Sequence, residues 1–76
     1  MTELEFCRIF AANLDQAIME SGYTKSEIAR MSGLDPSTIT KYLTGRRTPS
    51  IIAVVNLANT LMCPLTDLIA DFDYID

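Results

Sequence analysis

Apolar residues recur along the chain at intervals of three and four positions, the spacing of amphipathic α-helices. The longest such pattern lies near the N-terminus and predicts a first helix that ends at about Ser21. Its apolar face comprises Cys7, Phe10, Leu14, Ala17 and Ile18. Thr2 and Glu5 form a capping box at its start, and Gly22 suits the left-handed residue that follows a helix. We expect this face to cover the shorter helices that follow.

Residues 24–45 predict two short helices joined by a tight turn. Thr24 and Glu27 form a second capping box, in which the hydroxyl and the carboxylate each accept a backbone amide. The first helix of the pair therefore begins at Lys25, and Gly33 is placed to end it. Its apolar side comprises Ile28, Ala29 and Met31.

The second helix of the pair begins at Pro36, because a proline at the first helical position removes no amide that the helix needs. Asp35 precedes it, and we expect its carboxylate to cap the helix. Gly45 is placed to end it. Its two faces differ: one holds Ile39, Tyr42 and Leu43, and the other holds Ser37, Thr38, Lys41 and Thr44. We expect the first face to pack against the core and the second face to contact a ligand.

Two more helices are predicted after the polar loop of residues 46–50. Either Thr48 or Ser50 caps the fourth helix. Its inward face comprises Val54, Leu57, Ala58 and Leu61, while Ile51, Ile52 and Val55 are left over. A short fifth helix starts at Pro64, with Leu65, Leu68 and Ile69 closing the core. The predicted fold is all-α, a compact five-helix bundle formed by residues 1–76 as a single domain.

Composition narrows the function classes. The 49% hydrophobic and 21% charged content is that of a globular chain, and neither β alternation nor a hairpin signal occurs. With no histidine, and no lysine evidently placed to activate a hydroxyl, we predict no enzyme. The two cysteines, Cys7 and Cys63, lack CxxC spacing, so we predict free thiols with no metal, cofactor or small-molecule substrate. An acidic N-terminus and the short apolar run over 51–65 predict a cytoplasmic protein without a membrane segment.

Charge is segregated along the chain, which matters because phosphate attraction dominates non-specific DNA binding. The net charge of −4 opposes such binding, but residues 25–47 (the basic segment) carry five cations against two carboxylates, a net +3. The residues before it sum to −3 and those after it to −4.

A short helix with hydroxyls and a lysine suits the major groove, where lysine donates to guanine O6 and N7.

The spacing of these residues resembles that of the lambda-repressor-like, Cro-type (XRE) helix-turn-helix family over residues 10–69. The matching positions are Gly22, Ile28, Ala29, Gly33, Leu34, Ile39, Tyr42, Gly45, Pro49, Ser50, Leu57, Ala58 and Leu61. The resemblance implies a five-helix domain that binds operator DNA as a dimer, with the second helix of the 24–45 motif in the major groove. It also implies a transcriptional role, with repression by occupying an operator.

The resemblance assigns roles to Lys25, Pro36, Ser37, Thr38 and Lys41, and the positions of the other residues named below predict theirs. Lys25 stands where relatives often have a phosphate-contacting Gln. The predicted base-reading residues are Pro36, Ser37, Thr38, Lys41 and Thr44, of which Pro36 offers only shape contact. The predicted phosphate-binding residues are Thr24, Lys25, Ser26, Arg46 and Arg47, the last two forming a polar loop directly after the reading helix.

One departure from the family concerns an ion pair. Many relatives join an Arg late in the first helix to a Glu near the end of the reading helix, and this chain has Ile18 and Leu43 there. Replacing both charges by packed apolar groups is often neutral or stabilising, whereas replacing one strands a charge. We therefore expect Ile18 and Leu43 to touch.

A dimer needs apolar surface that the core does not use. The candidates are Ile51, Ile52, Val55, Phe72, Tyr74 and Ile75. The alternative is that Ile51 and the tail close the chain's own core. A second reading of the function stays open too: a helix-turn-helix module that binds a protein, as an antirepressor or antitoxin-like partner would, and does not bind DNA.

Overall fold

The computed structural model describes residues 1–71, and these form five helices without a strand. The helices are α1 (Glu3–Ser21), α2 (Lys25–Ser32), α3 (Pro36–Leu43), α4 (Ile51–Leu61) and α5 (Leu65–Ile69). The all-α prediction is confirmed, as are the predicted end of α1 and the predicted starts of α2 and α3. Phe72, Tyr74 and Ile75 lie outside the described residues.

The capping residues explain most of these boundaries. The Thr24 hydroxyl accepts from the Glu27 amide at 3.1 Å, and the Glu27 carboxylate accepts from the Thr24 amide at 2.9 Å, which completes the predicted box. The structure distinguishes between the two residues predicted to cap α4, because the Ser50 hydroxyl accepts a hydrogen bond from the Ala53 amide at 3.1 Å. Ser50, and not Thr48, is the cap.

The prediction for Asp35 is wrong in one respect. Asp35 is the N-cap residue of α3, but its side chain makes no capping hydrogen bond. Its own carbonyl oxygen accepts from the Thr38 amide at 3.0 Å, so this amide is already satisfied, and Pro36 has no amide to cap. The carboxylate of Asp35 is left exposed at the start of α3.

The core lies under the inner face of α1. Six large side chains are fully buried, one or more from each helix: Phe10, Leu14, Ile28, Ile39, Leu57 and Leu68. The ring of Phe10 meets that of Tyr42 edge to face, with 5.6 Å between centroids, a geometry that adds to the energy of burial. α1 packs on α3 and α5, and α2 packs on α3 and α4, so α3 is held from two sides.

Several side chains differ from the predicted core. Met31 is 43% exposed on α2, and Leu61 and Ala17 are only half-buried at the margin of the cluster. Leu43 is also half-buried and packs against the core that contains Ile18. Ile51, Ile52 and Val55 are exposed on α4, as their surplus in the pattern predicted. Ile51 therefore does not close the core of the described residues.

Two features of the C-terminal part have no sequence signal. Met62 ends α4 in the left-handed conformation, with φ of 55°, although no glycine stands there. The Asn13 side-chain amide on α1 donates to the carbonyls of Leu68 and Ala70, at 3.1 and 2.8 Å. This pair of hydrogen bonds joins the end of α5 to the middle of α1.

Candidate nucleic-acid interface

The outward face of α3 carries the residues predicted to read bases. Pro36, Ser37, Lys41 and Thr44 are exposed, and Thr38 is half-buried. On the opposite face Ile39 and Tyr42 are buried, with exposures of 0% and 3%. The two faces are therefore separated as predicted, and the polar face is accessible to a ligand.

The hydroxyls of α3 differ in their freedom to bind a ligand. The Thr44 hydroxyl donates to the Thr40 carbonyl at 2.9 Å, and the Thr40 hydroxyl donates to the Pro36 carbonyl at 3.2 Å. Such bonds to the preceding turn use the hydroxyl hydrogen and leave the oxygen as an acceptor. Among residues 1–71, no side-chain hydrogen bond engages Ser37 or Thr38. These two hydroxyls can both donate and accept.

The start of α2 carries the first predicted phosphate-binding group. Lys25 and Ser26 are exposed there, while both the amide and the hydroxyl of Thr24 belong to the capping box. Hydrogen bonds from the Thr24 amide and then its hydroxyl, followed by the charge of Arg30, hold the pKa of Glu27 below its ordinary value of 4.5. The carboxylate is thus charged at neutral pH and neutralises part of the helix dipole. Lys25 supplies the positive charge at this end.

The second predicted phosphate-binding group follows directly on α3. Gly45 has φ of +70°, and its amide donates to the Tyr42 carbonyl at 3.2 Å. The Arg46 amide donates to the Lys41 carbonyl at 2.9 Å, which completes a Schellman motif. This motif turns the chain sharply, so Arg46 and Arg47 are exposed beside the last turn of α3.

The loop that follows rests on the first turns of α1. Residues 46–48, here called the arginine loop, line a shallow hollow together with Glu3, Leu4 and Cys7. The Cys7 sulfur lies 3.2 Å from the Thr48 hydroxyl oxygen. The sequence pattern placed Cys7 only in the core and Thr48 only as a possible cap. Nothing in either residue's own spacing signals this contact, because it joins positions far apart in the chain.

The remaining candidate surface lies on α4. Ile51 and Ile52 are 65% and 69% exposed, and Val55 is 41% exposed. The other three residues predicted at a dimer interface fall beyond residue 71. No group of cysteine and carboxylate side chains within residues 1–71 is arranged to hold a metal ion. None of the helices described above has the length and apolar character needed to span a bilayer.

Comparisons with known proteins agree with this architecture. A family model described as helix-turn-helix matches residues 14–68. The restriction-modification controller protein C.AhdI from Aeromonas hydrophila is 26% identical with a TM-score of 0.78, over 82% of this chain and 94% of that one. The SOS-response transcriptional repressor LexA from Eubacterium rectale is 33% identical with a TM-score of 0.83, over 95% of this chain and 78% of that one. The comparison with curated proteins gave no match.

Proposed function

This chain belongs to the helix-turn-helix family of DNA-binding transcription regulators, and we propose that it is a repressor that binds a near-palindromic operator as a homodimer. The matched residues include all of α2 and α3, so the proposal concerns what this particular pair of helices binds. The observation that supports this proposal is the outward face of α3. It presents the free hydroxyls of Ser37 and Thr38 and the side chain of Lys41, while the opposite face packs against α1 and α2.

Lys41 is the proposed principal base-reading residue. Its side chain is exposed on the second turn of α3, and its ammonium group can donate to guanine O6 and N7. Guanine is the base that presents two adjacent acceptors in the major groove. Ser37 and Thr38, one turn earlier, can donate or accept at neighbouring base edges. Pro36 contributes shape contact, and Thr44 contributes an acceptor because its hydrogen is engaged. The side chains are short, so the helix can lie deep in the groove.

Phosphate contacts are proposed at the C-terminus of the reading helix and at the N-terminus of α2. Arg46 and Arg47 follow the C-terminus of α3, and Lys25, with Ser26 and the remaining hydroxyl capacity of Thr24, lies at the start of α2. Except for Thr24, which directly precedes it, these residues belong to the basic segment, whose net +3 opposes the negative charge of the rest of the chain. DNA would then approach the segment where the local field is favourable and avoid the acidic remainder.

A homodimer is proposed because one copy of α3 covers too little DNA. Eight residues make a helix of about 12 Å, which contacts only a few base pairs. Two copies related by a twofold axis place their reading helices about 34 Å apart, one turn of the duplex. The described residues extend 34 × 22 × 19 Å, so two copies side by side fit that spacing. The exposed Ile51, Ile52 and Val55, with Phe72, Tyr74 and Ile75, are the proposed interface.

The repressor role is the finer part of the proposal. Of the two similar structures, one is named a transcriptional repressor and the other a restriction-modification controller. A dimer on an operator excludes other proteins from the same DNA, which is sufficient for repression.

Selection of bound duplexes from a random pool tests base reading. We expect wild type to select a near-palindromic site, and Lys41→Ala to lose about 1–3 kcal/mol on that site while non-specific binding falls far less. Selection of the same site by Lys41→Ala, with unchanged affinity, contradicts the role of Lys41. A wild-type chain that binds no duplex at any salt concentration supports the protein-binding alternative.

Salt titration tests the phosphate contacts. Alanine at Lys25, Arg46 or Arg47 should weaken binding to all sequences alike and lower the salt slope by about 0.9 for each lost contact. The control is Arg8→Ala, which removes an exposed arginine of α1 outside the basic segment. An effect of the control as large as that of the three variants would show that only the net charge matters.

Sedimentation tests the dimer. Ile52→Glu, and separately deletion of residues 71–76, should shift the protein towards monomer and abolish cooperative operator binding. Met19→Glu is the matched control, because Met19 is 71% exposed on α1 and Ile52 is 69% exposed on α4. A wild type that stays monomeric at high concentration and binds two half-sites independently contradicts the proposal.

A further inference from the structure

We propose that Thr48 and Cys7 are positioning residues that fix the arginine loop in a DNA-binding conformation before DNA arrives. This inference rests on the proposed function, in which Arg46 and Arg47 contact phosphates. It adds a residue pair that contacts no DNA and acts through the two arginines.

The two ends of the loop are fixed by different means. At the first end, the Schellman motif holds the backbone of Gly45 and Arg46 against the last turn of α3. At the second end, Pro49 is buried and Ser50 caps α4. Between these ends lie Arg47 and Thr48, and the Cys7 sulfur at 3.2 Å is the side-chain partner that the described residues offer to Thr48.

Cys7 is a rigid anchor for this contact. Its side chain is 5% exposed and belongs to the same inner face of α1 as Phe10, which is fully buried. Gly45, just before the loop, also lies near the backbone of α1, because a Cβ atom added to it would lie 3.9 Å from the Cys7 carbonyl oxygen. The side-chain contact that ties the turn from α3 to α4 to Cys7 therefore needs a hydroxyl at position 48.

A fixed loop matters for affinity because binding otherwise has to order it. If only a fraction of the molecules hold the arginines correctly, the apparent dissociation constant rises by the inverse of that fraction. Loss of one hydrogen bond changes the ratio of held to released loops by about three- to tenfold, and the held fraction falls by up to that factor. Thr48 is exposed, so its substitution removes the contact without opening a cavity in the core.

The test is a double-mutant cycle on sheared random-sequence duplex DNA at about 50 mM salt, where phosphate contacts bind most strongly. Thr48→Val removes the hydroxyl at nearly constant shape, and Thr48→Ser restores it. Thr66→Val is the control, since Thr66 is an exposed threonine on α5. Each substitution is measured in wild type and in an Arg46→Ala/Arg47→Ala background.

Thr48→Val should weaken binding by up to about tenfold in wild type and leave binding unchanged in the double-alanine background. Thr48→Ser and Thr66→Val should bind like wild type in both. An equal loss in both backgrounds would show that Thr48 itself contacts a phosphate, and no loss in wild type would show that the loop needs no anchor. Either result overturns the positioning role alone. A wild type that binds no DNA overturns the proposed function and this role together.

Alkylation of the Cys7 thiol by N-ethylmaleimide gives a second measurement, made without DNA. The protein carries Cys63→Ser, so that Cys7 is the thiol modified. Because a buried thiol reacts only when its cover opens, Thr48→Val should speed alkylation of Cys7, while the free energy of unfolding falls by no more than one hydrogen bond accounts for. An unchanged alkylation rate would show that Thr48 does not hold the loop on Cys7, and would overturn the proposal.

Discussion

Replacing Met62 by glycine should stabilise the protein. Met62 follows α4 with φ of 55°. Within residues 1–71, every other residue with a positive φ is a glycine. Its amide donates to the Asn59 carbonyl at 3.2 Å, and the next amide donates from Cys63 to the Ala58 carbonyl at 3.0 Å. The chain thus forms a Schellman motif at a position where glycine is the usual residue.

The size of the gain follows from three contributions. The left-handed conformation costs a residue with a Cβ atom about 1–2 kcal/mol, and glycine does not have this cost. Glycine loses more backbone entropy on folding, which returns about 0.5–1 kcal/mol. Met62 is 89% exposed, so removing its side chain sacrifices almost no burial. The net gain is about 0.5–1 kcal/mol, or a rise in Tm of about 2–8 °C for a chain of this size.

Urea and thermal unfolding of wild type, Met62→Gly and Met62→Ala measure this gain. Alanine has the same Cβ atom and the same strain, so Met62→Ala should unfold like wild type, while Met62→Gly should be more stable than both. If Met62→Gly is no more stable than Met62→Ala, backbone strain at this position does not limit the stability of the fold.

Three further predictions concern stability. The pKa of Glu27 is lowered in the folded protein, so the stabilisation by its carboxylate is present above the ordinary value of 4.5 and is lost as the pH falls through the folded value. In urea unfolding, the stability advantage of wild type over Glu27→Gln should therefore shrink between about pH 6 and about pH 3. A difference that stays constant with pH contradicts this. The stability losses of Ile18→Ala and Leu43→Ala should couple by at least about 0.5 kcal/mol in a double-mutant cycle, because the two side chains are expected to touch; additive losses would show that they do not. Leu43→Glu should cost about 1–3 kcal/mol of unfolding free energy, since it places a carboxylate at the edge of the core. Asn13→Ala should cost about 1–2 kcal/mol, because two carbonyls at the end of α5 lose their donor, and unfolding like that of wild type would show that water replaces the amide.

The sequence predicted helix boundaries well because the signals at these boundaries are local. Thr24 and Glu27 satisfy each other's amides within one turn, and Pro36 fixes its own backbone angle, so neither depends on the rest of the fold. The exposed and buried faces of α3 follow from the same local periodicity. These are the positions from which the DNA-binding surface was predicted.

Most of the features that the sequence did not predict depend on contacts between distant residues. Asn13 looks like an ordinary polar position of an amphipathic helix until α5 places two carbonyls beside it. Cys7 and Thr48 are separated by two helices, and only the turn after Gly45 brings them together. Asp35 was predicted to cap α3 because its residue type favours that role, but its own carbonyl oxygen already bonds the Thr38 amide. Tertiary geometry decided the cases of Asn13 and of Cys7 with Thr48, whereas a backbone hydrogen bond within one turn decided the case of Asp35.

The attachment of α5 to α1 bears on how the protein folds as it leaves the ribosome. A helix of five residues has no stability alone, and Leu68, fully buried, fills the core from this helix. The carbonyls that Asn13 binds belong to Leu68 and Ala70, more than fifty residues later in the chain. A nascent chain that has emerged only as far as α4 would expose the apolar surface that Leu68 covers, although α2 and α3 have already emerged. The core can close only after residue 70 has left the exit tunnel, so the packing of α1 is completed only when α5 has formed.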